Sequence, residues 1–510
     1  MLRKIRRILA IVFFILITLL FLDFTGIVQT WFGWMARIQF LPAVLAANVG
    51  VVIGLIGLTL LFGRVYCSVI CPLGVMQDIV AWFGKRKRKN RYSFSPARSW
   101  LRYGMLGLFV GALVIGIGPL VSLLAPYSAY GRIAQNLWAP LWDAGNNILA
   151  YLAERFDSYT FYETEVWVRN WPTFLVAGVT LVVLAILAWR NGRTYCNTIC
   201  PVGTVLGFLA RYSWFRPVID PQKCNGCTLC SKRCKAACIE LETHRIDYSR
   251  CVVCMDCLDN CRQGAISYRR RSRKSSPQEV GSPGFSEKAS EAEISSRADR
   301  PTIDRARRSF LTGLGLWFGS SVVQAQEKKV DGGLAVILDK KIPDRATPIV
   351  PPGAQGLRHL AKHCTGCQLC VAVCPNGVLR PSTQRFMEPE LSYERGYCRP
   401  ECTECSEVCP TGAIRPITIA DKAAIQIGHA VWVKENCVPL TDGVSCGNCA
   451  RHCPAGAITM VPSDPQRSDS PKIPIVDEER CLGCGACENL CPARPFSAIY
   501  VEGHERHRII

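Results

Sequence analysis

The run CNGCTLCSKRC, Cys224 to Cys234, is followed by CVVCMDCLDNC, Cys251 to Cys261. Three thiolates at this spacing wrap one face of an iron-sulfur cubane in a tight loop, and the fourth, on the following helix, reaches across to a neighbouring cube. The spacing therefore assigns Cys224, Cys227, Cys230 and Cys261 to one [4Fe-4S] cluster and Cys251, Cys254, Cys257 and Cys234 to another. Zinc is the rival metal for any four-cysteine set, but zinc sites rarely run Cys-x2-Cys-x2-Cys twice. The proline that usually follows each fourth cysteine is replaced by Lys235 and Arg262, which bears on loop geometry rather than on ligation. Cys238 is a ninth cysteine in this stretch and reads as a packed thiol.

Sixteen more cysteines follow in four sets, each ending in Cys-Pro. They are Cys364, Cys367, Cys370 and Cys374; Cys398, Cys402, Cys405 and Cys409; Cys437, Cys446, Cys449 and Cys453; and Cys481, Cys484, Cys487 and Cys491. Four ligands per cubane make four further clusters, about six in all. The second and third sets have longer first gaps, which means longer ligand loops rather than missing ligands. Sequential pairing, first set with second and third with fourth, is the favoured arrangement, with nested pairing as the alternative.

A third pattern is an internal duplication. GRVYCSVICPLG at 63 to 74 recurs as GRTYCNTICPVG at 192 to 203, with eight of twelve positions identical. Each copy has too few ligands for a cluster, but Cys67, Cys71, Cys196 and Cys200 together supply four thiolates for one redox site, an iron-sulfur cluster or a tetrahedral metal. A redox-active dithiol and simple buried cysteines are the alternatives.

The elements that must position these cysteines are read from the apolar pattern. Four stretches, near 8 to 28, 41 to 63, 101 to 124 and 171 to 190, are long enough to span a bilayer, which takes roughly 20 helical residues. Each repeat lies just past the second helix of a two-helix hairpin. The chain has 29 cysteines and a net charge of +20, but much of that charge sits in MLRKIRR, KRKRKNR and RRRSRK beside apolar helices. Such blocks mark cytoplasmic flanks rather than a nucleic-acid surface, and they place the N-terminus and residues 64 to 100 inside. Residues 125 to 170, rich in aromatics such as Trp138, Trp142 and Trp167, then face outward and read as an interfacial amphipathic segment. A quinone pocket there is the alternative. A disulfide scaffold is excluded by the length of the chain and the clustering of its cysteines.

Residues 269 to 304 are rich in Ser, Pro, Gly and mixed charge and read as a disordered linker. Next, Arg307 and Arg308 precede Ser309, Phe310 and Leu311 and a weakly apolar run, the pattern of an internal twin-arginine export signal. The expected organisation is a multi-domain membrane protein: a four-span core over 1–213, an α+β two-cluster ferredoxin over 214–268, the linker, a signal or fifth span over 305–328, and a four-cluster ferredoxin domain over 329–510.

With its two GR-x-Y-C-x2-I-C-P motifs and paired cluster runs, the region 1–268 resembles the NapH ferredoxin-type membrane proteins and their relatives NosR and CcoG. Residues 305–510, with the arginine pair, the PPGA stretch at Pro351 to Ala354 and four cysteine sets, resemble NapG, so the chain looks like a fusion of the two. The resemblance implies a quinol dehydrogenase component of the bacterial inner membrane. It would pass electrons from quinol through [4Fe-4S] clusters to a periplasmic reductase or small carrier, with the first ferredoxin cytoplasmic and the second periplasmic. A regulatory or metallocentre-maturation protein reducing a metal or flavin on a partner is the second class it allows. No histidine precedes His244, so the spans offer no histidine ligand for a haem relay.

Overall fold

The computed structural model describes residues 2–271 and 339–510, apart from 24–25, 88–91, 159–160, 162, 165 and 468–469. The linker beyond Arg271 and the twin-arginine segment lie outside the described residues. Residues 1–271 and 341–510 form one compact unit.

The N-terminal half is helical. Its main helices are α1 (Leu2–Leu22), α2 (Val49–Phe62), α3 (Pro72–Lys87), α4 (Ser99–Ile115), α5 (Pro126–Ile133), α6 (Trp171–Asn191) and α7 (Pro201–Ala210). Among the described residues only α1 and α6, of 21 residues each, are long and apolar enough to cross a membrane by length and composition. The other two expected spans are interrupted. In the second, Ala47 takes φ 52° and the Asn48 side chain then caps a fresh start at α2. In the third, Gly116 ends α4 at φ 85°, and a separate short helix, Gly118–Leu124, follows.

The outward faces of these helices are nevertheless apolar. Ile8 and Ile15 on α1, Ile53 on α2, Val114 on α4, and Leu175 and Val182 on α6 are all exposed. The expectation for residues 125 to 170 needs correction over its first part: α5 is not interfacial, because all eight of its residues are buried, whereas Leu141, Trp142, Ile148 and Leu152 of the next helix, Ala139–Glu154, are exposed. It packs in the core against α3 and α6, where Tyr130 meets Thr18 of α1 by a hydrogen bond.

The two cysteine-rich halves adjoin opposite ends of α1. At its N-terminus Arg3 pairs with Asp256 and Asp259 of the first ferredoxin segment, each at 2.8 Å. At its C-terminal end α1 packs on the helix Leu369–Val373 of the C-terminal half. A helix of this length separates the two contacts by about 30 Å. The first ferredoxin segment is closed by an antiparallel pair, Phe215–Ile219 with Ile266–Arg270. In the C-terminal half, strand Ile425–Trp432 pairs with Ile499–Ile509 and ties the middle of that region to its end.

Candidate iron-sulfur centres

The ligand loops share one local geometry. The residues before and after the second cysteine both take positive φ in four sets: Gly226 and Thr228, Val253 and Met255, Gly366 and Gln368, Gly483 and Gly485. This left-handed pair curls the chain so that successive backbone N–H groups face inward, the nest that suits an anionic iron-sulfur centre. A short helix then starts and presents the third cysteine, as at Leu229–Lys232, Asp256–Asn260, Leu369–Val373 and Ala486–Asn489.

The fourth cysteines cross over. Cys234 lines a cavity with Cys251, Cys254 and Cys257. Cys374 lines one with Cys398, Cys402 and Cys405, and Cys491 one with Cys437, Cys446 and Cys449. Cys409 is a close electrostatic neighbour of Cys364, Cys367 and Cys370, and Cys453 of Cys481, Cys484 and Cys487. Cys224 and Cys227 adjoin Cys230, and Cys261 shares their small core. Among the described residues no three His, Cys, Asp or Glu side chains close on a single ion. That suits cubane ligands, each of which binds a different iron of a larger body. Backbone N–H groups of Ile414 and Ala498 reach the sulfurs of Cys409 and Cys491 at 3.4 and 3.3 Å.

The last two pairs of sets are joined directly. The Cys398 N–H donates to the Cys484 carbonyl at 2.9 Å, and buried Tyr393 packs on that ligand loop with its hydroxyl on the Gly483 carbonyl at 2.7 Å.

Cys238 is buried, with its sulfur 3.5 Å from that of Cys234. It lines the same cavity as Cys234, Cys251, Cys254 and Cys257, the fifth cysteine in that wall. Replacing it with alanine should leave the iron content of the protein unchanged, and loss of about four irons per chain would instead make it a ligand.

The duplicated motifs come together with approximate two-fold symmetry. Each apolar helix ends at a glycine of positive φ, Gly63 or Gly192, and a short helix then carries the first cysteine, on Val65–Val69 or Thr194–Thr198. Cys71 and Cys200 precede prolines that open α3 and α7. Cys67, Cys71, Cys196 and Cys200 are all buried and within electrostatic reach of one another. The arginines cross between the copies: Arg64 Nη2 donates to the Cys196 carbonyl at 3.1 Å, and Arg193 Nη1 to the Cys67 carbonyl at 2.7 Å. Each also approaches the thiol of its own copy, Arg64 to Cys67 at 3.7 Å and Arg193 to Cys196 at 3.8 Å. The closing glycines admit nothing larger, since a Cβ on Gly74 or Gly203 would fall 2.3 Å from the carbonyl oxygen of Cys67 or Cys196.

The charges around this centre are unequal. Arg193 pairs with Asp78 at 2.8 Å, whereas fully buried Arg64 meets neutral acceptors, Asn197 Oδ1 at 2.9 Å and the Ser249 carbonyl at 3.1 Å. Buried Arg102 approaches the same carbonyl at 3.2 Å. Asp247 acts on Arg102, whereas Arg64 meets no carboxylate among its hydrogen-bond partners in the described residues, so the donor set fits an anionic thiolate centre.

Two residues whose role no motif discloses, Lys235 and Asp78, tie the centre to the first ferredoxin. Lys235, in the place of the expected proline, pairs with Asp78 at 3.3 Å and Asp256 at 3.2 Å, while its carbonyl accepts from the Arg193 N–H at 2.9 Å. Burial alone would raise the Asp78 carboxyl, but Arg193, Lys235 and Arg6 hold it well below the usual carboxylate range. The signal was available: Asp78 aligns with Gly207 across the repeat, a carboxylate in one copy where the other has none.

The 4Fe-4S binding domain family matches residues 45–91 and 171–220, the two repeats, and the 4Fe-4S dicluster domain family matches 363–413 and 444–494. The chain is 33% identical over 172 residues to the methylamine utilization ferredoxin-type protein MauM of Paracoccus denitrificans, covering 31% of this chain and 73% of that protein. It is 26% identical over 232 residues to the ferredoxin-type protein NapH of Haemophilus influenzae, covering 44% and 68%. With the regulatory protein NosR of Stutzerimonas stutzeri the identity is 24% over 200 residues, covering 39% of this chain and 23% of NosR. No solved structure matches the chain. Repeated cysteine pairs, dicluster loops and relatives together establish that this chain belongs to the NapH- and NosR-like family of ferredoxin-type iron-sulfur electron-transport proteins.

Proposed function

We propose that the protein conducts electrons across a membrane, from a first ferredoxin through the four-cysteine centre to a four-cluster domain on the other side. One observation carries this reading. The core that encloses Cys67, Cys71, Cys196 and Cys200 has Cys254 of the first ferredoxin and Cys367 of the C-terminal half packed against it. The exposed apolar faces of α1, α2, α4 and α6 support a four-helix membrane core whose shorter members are completed by neighbouring segments.

In this reading the six cysteine groups described above hold six [4Fe-4S] clusters and the duplicated motifs hold a seventh centre. A cubane, when bound, supplies reversible one-electron storage. The chain supplies the rest: curled loops that present N–H groups, burial that excludes water, and guanidiniums that balance thiolate charge. Membrane quinol is the electron donor and a periplasmic reductase or small carrier the acceptor. The first ferredoxin is cytoplasmic, in keeping with the basic flanks, and the C-terminal domain is periplasmic.

Redox-titrated electron paramagnetic resonance with metal analysis tests this on the anaerobically purified full chain. About 24 irons per chain are expected from six cubanes, and about 28 with the seventh. Zinc in place of iron overturns the reading, and so does a reporter fused after residue 330 that proves cytoplasmic.

A further inference from the structure

Arg132, on α5, is fully buried. Its Nη1 donates to the Ser122 carbonyl at 2.6 Å and to Ser122 Oγ at 2.9 Å, but among the described residues Nε and Nη2 have no partner. Among the described residues, the ionisable neighbour that acts on it is Tyr195, which in turn adjoins Cys200 and Cys196. On its other side lies the ligand loop of the first C-terminal set. A Cβ on Gly131 would fall 2.2 Å from the Cys367 carbonyl oxygen, and one on Gly366 would fall 2.5 Å from Ser122 Oγ. Asn136, one turn on, donates to Gln368 Oε1 at 2.8 Å. Glu388, the carboxylate acting on Cys364, is engaged by Arg385 at 2.7 Å. A cation so buried, with two unmatched N–H groups, is costly unless an anion faces it.

We propose that Arg132 is the buried counter-charge of the cluster held by Cys364, Cys367, Cys370 and Cys409, and that it raises the potential of that cluster. The inference rests on the conduit reading. Adding an electron makes the cluster more negative, so a fixed positive charge beside it favours the reduced state, and net charge is one of the factors that set such potentials. Arg132 acts here as a positioning residue for charge and is not a ligand.

The test is redox-titrated electron paramagnetic resonance on the full chain, comparing wild type with Arg132→Met and Arg132→Lys. In the Met variant one cluster should titrate at lower potential while the others hold and the iron content stays constant. The Lys variant, which keeps the charge, should return that cluster toward its wild-type value. Unchanged titrations in an iron-replete Met variant overturn the proposal. Should the Met variant lose iron, Arg132→Gln compared with Arg132→Lys reads the charge alone, and equal potentials in those two overturn it. Cys409→Ser separates the underlying reading: if it removes no cluster signal, the ligand assignment fails, whatever Arg132 does.

Discussion

Serine in place of Cys200 is expected to stop quinol-driven reduction of the C-terminal clusters while dithionite still reduces them directly. Cys200 is buried between two modules that adjoin opposite ends of α1, and its sulfur accepts from the Gly203 N–H at 3.3 Å. A hydroxyl is a far weaker ligand than a thiolate, so a centre with three thiolates remaining loses its iron or its potential. The ferredoxin groupings draw no ligand from α7 or from the short helix before it, so six clusters should survive by spectroscopy. The same outcome is expected for Cys67, Cys71 and Cys196. Undiminished quinol-driven reduction in all four single variants would leave the duplicated cysteines structural and sink the conduit.

The second large effect is on stability. Asp78→Asn removes the carboxylate shared by Arg193 at 2.8 Å, Lys235 at 3.3 Å and Arg6 at 3.4 Å. Breaking a buried pair by deleting one partner costs about 3–5 kcal/mol, because the remaining charge is left without compensation. Here three cations depend on one acid, although Lys235 retains Asp256. Thermal unfolding in detergent should therefore show a lowered midpoint, with loss of the first ferredoxin from the helical core preceding loss of the C-terminal clusters. Because the folded carboxyl is held below its usual range, wild type keeps this contribution above about pH 4 and loses it only as the pH falls toward the folded value. An Asn variant as stable as wild type would show that the network is not under load.

The cysteine groups were legible because ligand spacing is local: two residues between thiols fix a loop whatever the rest of the chain does. The duplication was legible for the same reason. The membrane core was less so, since hydropathy averages over a window and does not register the left-handed turns at Ala47 and Gly116 that shorten two helices. Residues 126–133 were misjudged because aromatic and small residues at a membrane exit look alike whether they face lipid headgroups or a docked domain. What buries α5, besides α3 and α6, is a ligand loop some 230 positions away, whose Cys367 carbonyl lies against Gly131, and no pattern within the segment encodes it. Lys235 was noticed only as a missing proline, since its partners Asp78 and Asp256 become neighbours only through the fold.

The crossed arginines also bear on ancestry. Each copy of the motif sends its guanidinium to the carbonyl of the other copy, so a lone hairpin lacks half of the groups around its own cysteines. Reciprocal contacts of this kind are those of an isologous two-fold interface, in which residue i of one subunit meets residue j of the other and the reverse. The simplest ancestor is therefore a single hairpin working as a homodimer, with one centre shared across the axis. In such a dimer both halves carry the same residue at every position, and a lone Asp78 facing a Gly207 could not exist. Joining the two copies into one polypeptide released that constraint. It let one half acquire the carboxylate that fastens Lys235 and the other remain bare, so that a symmetric centre gained a distinct front and back.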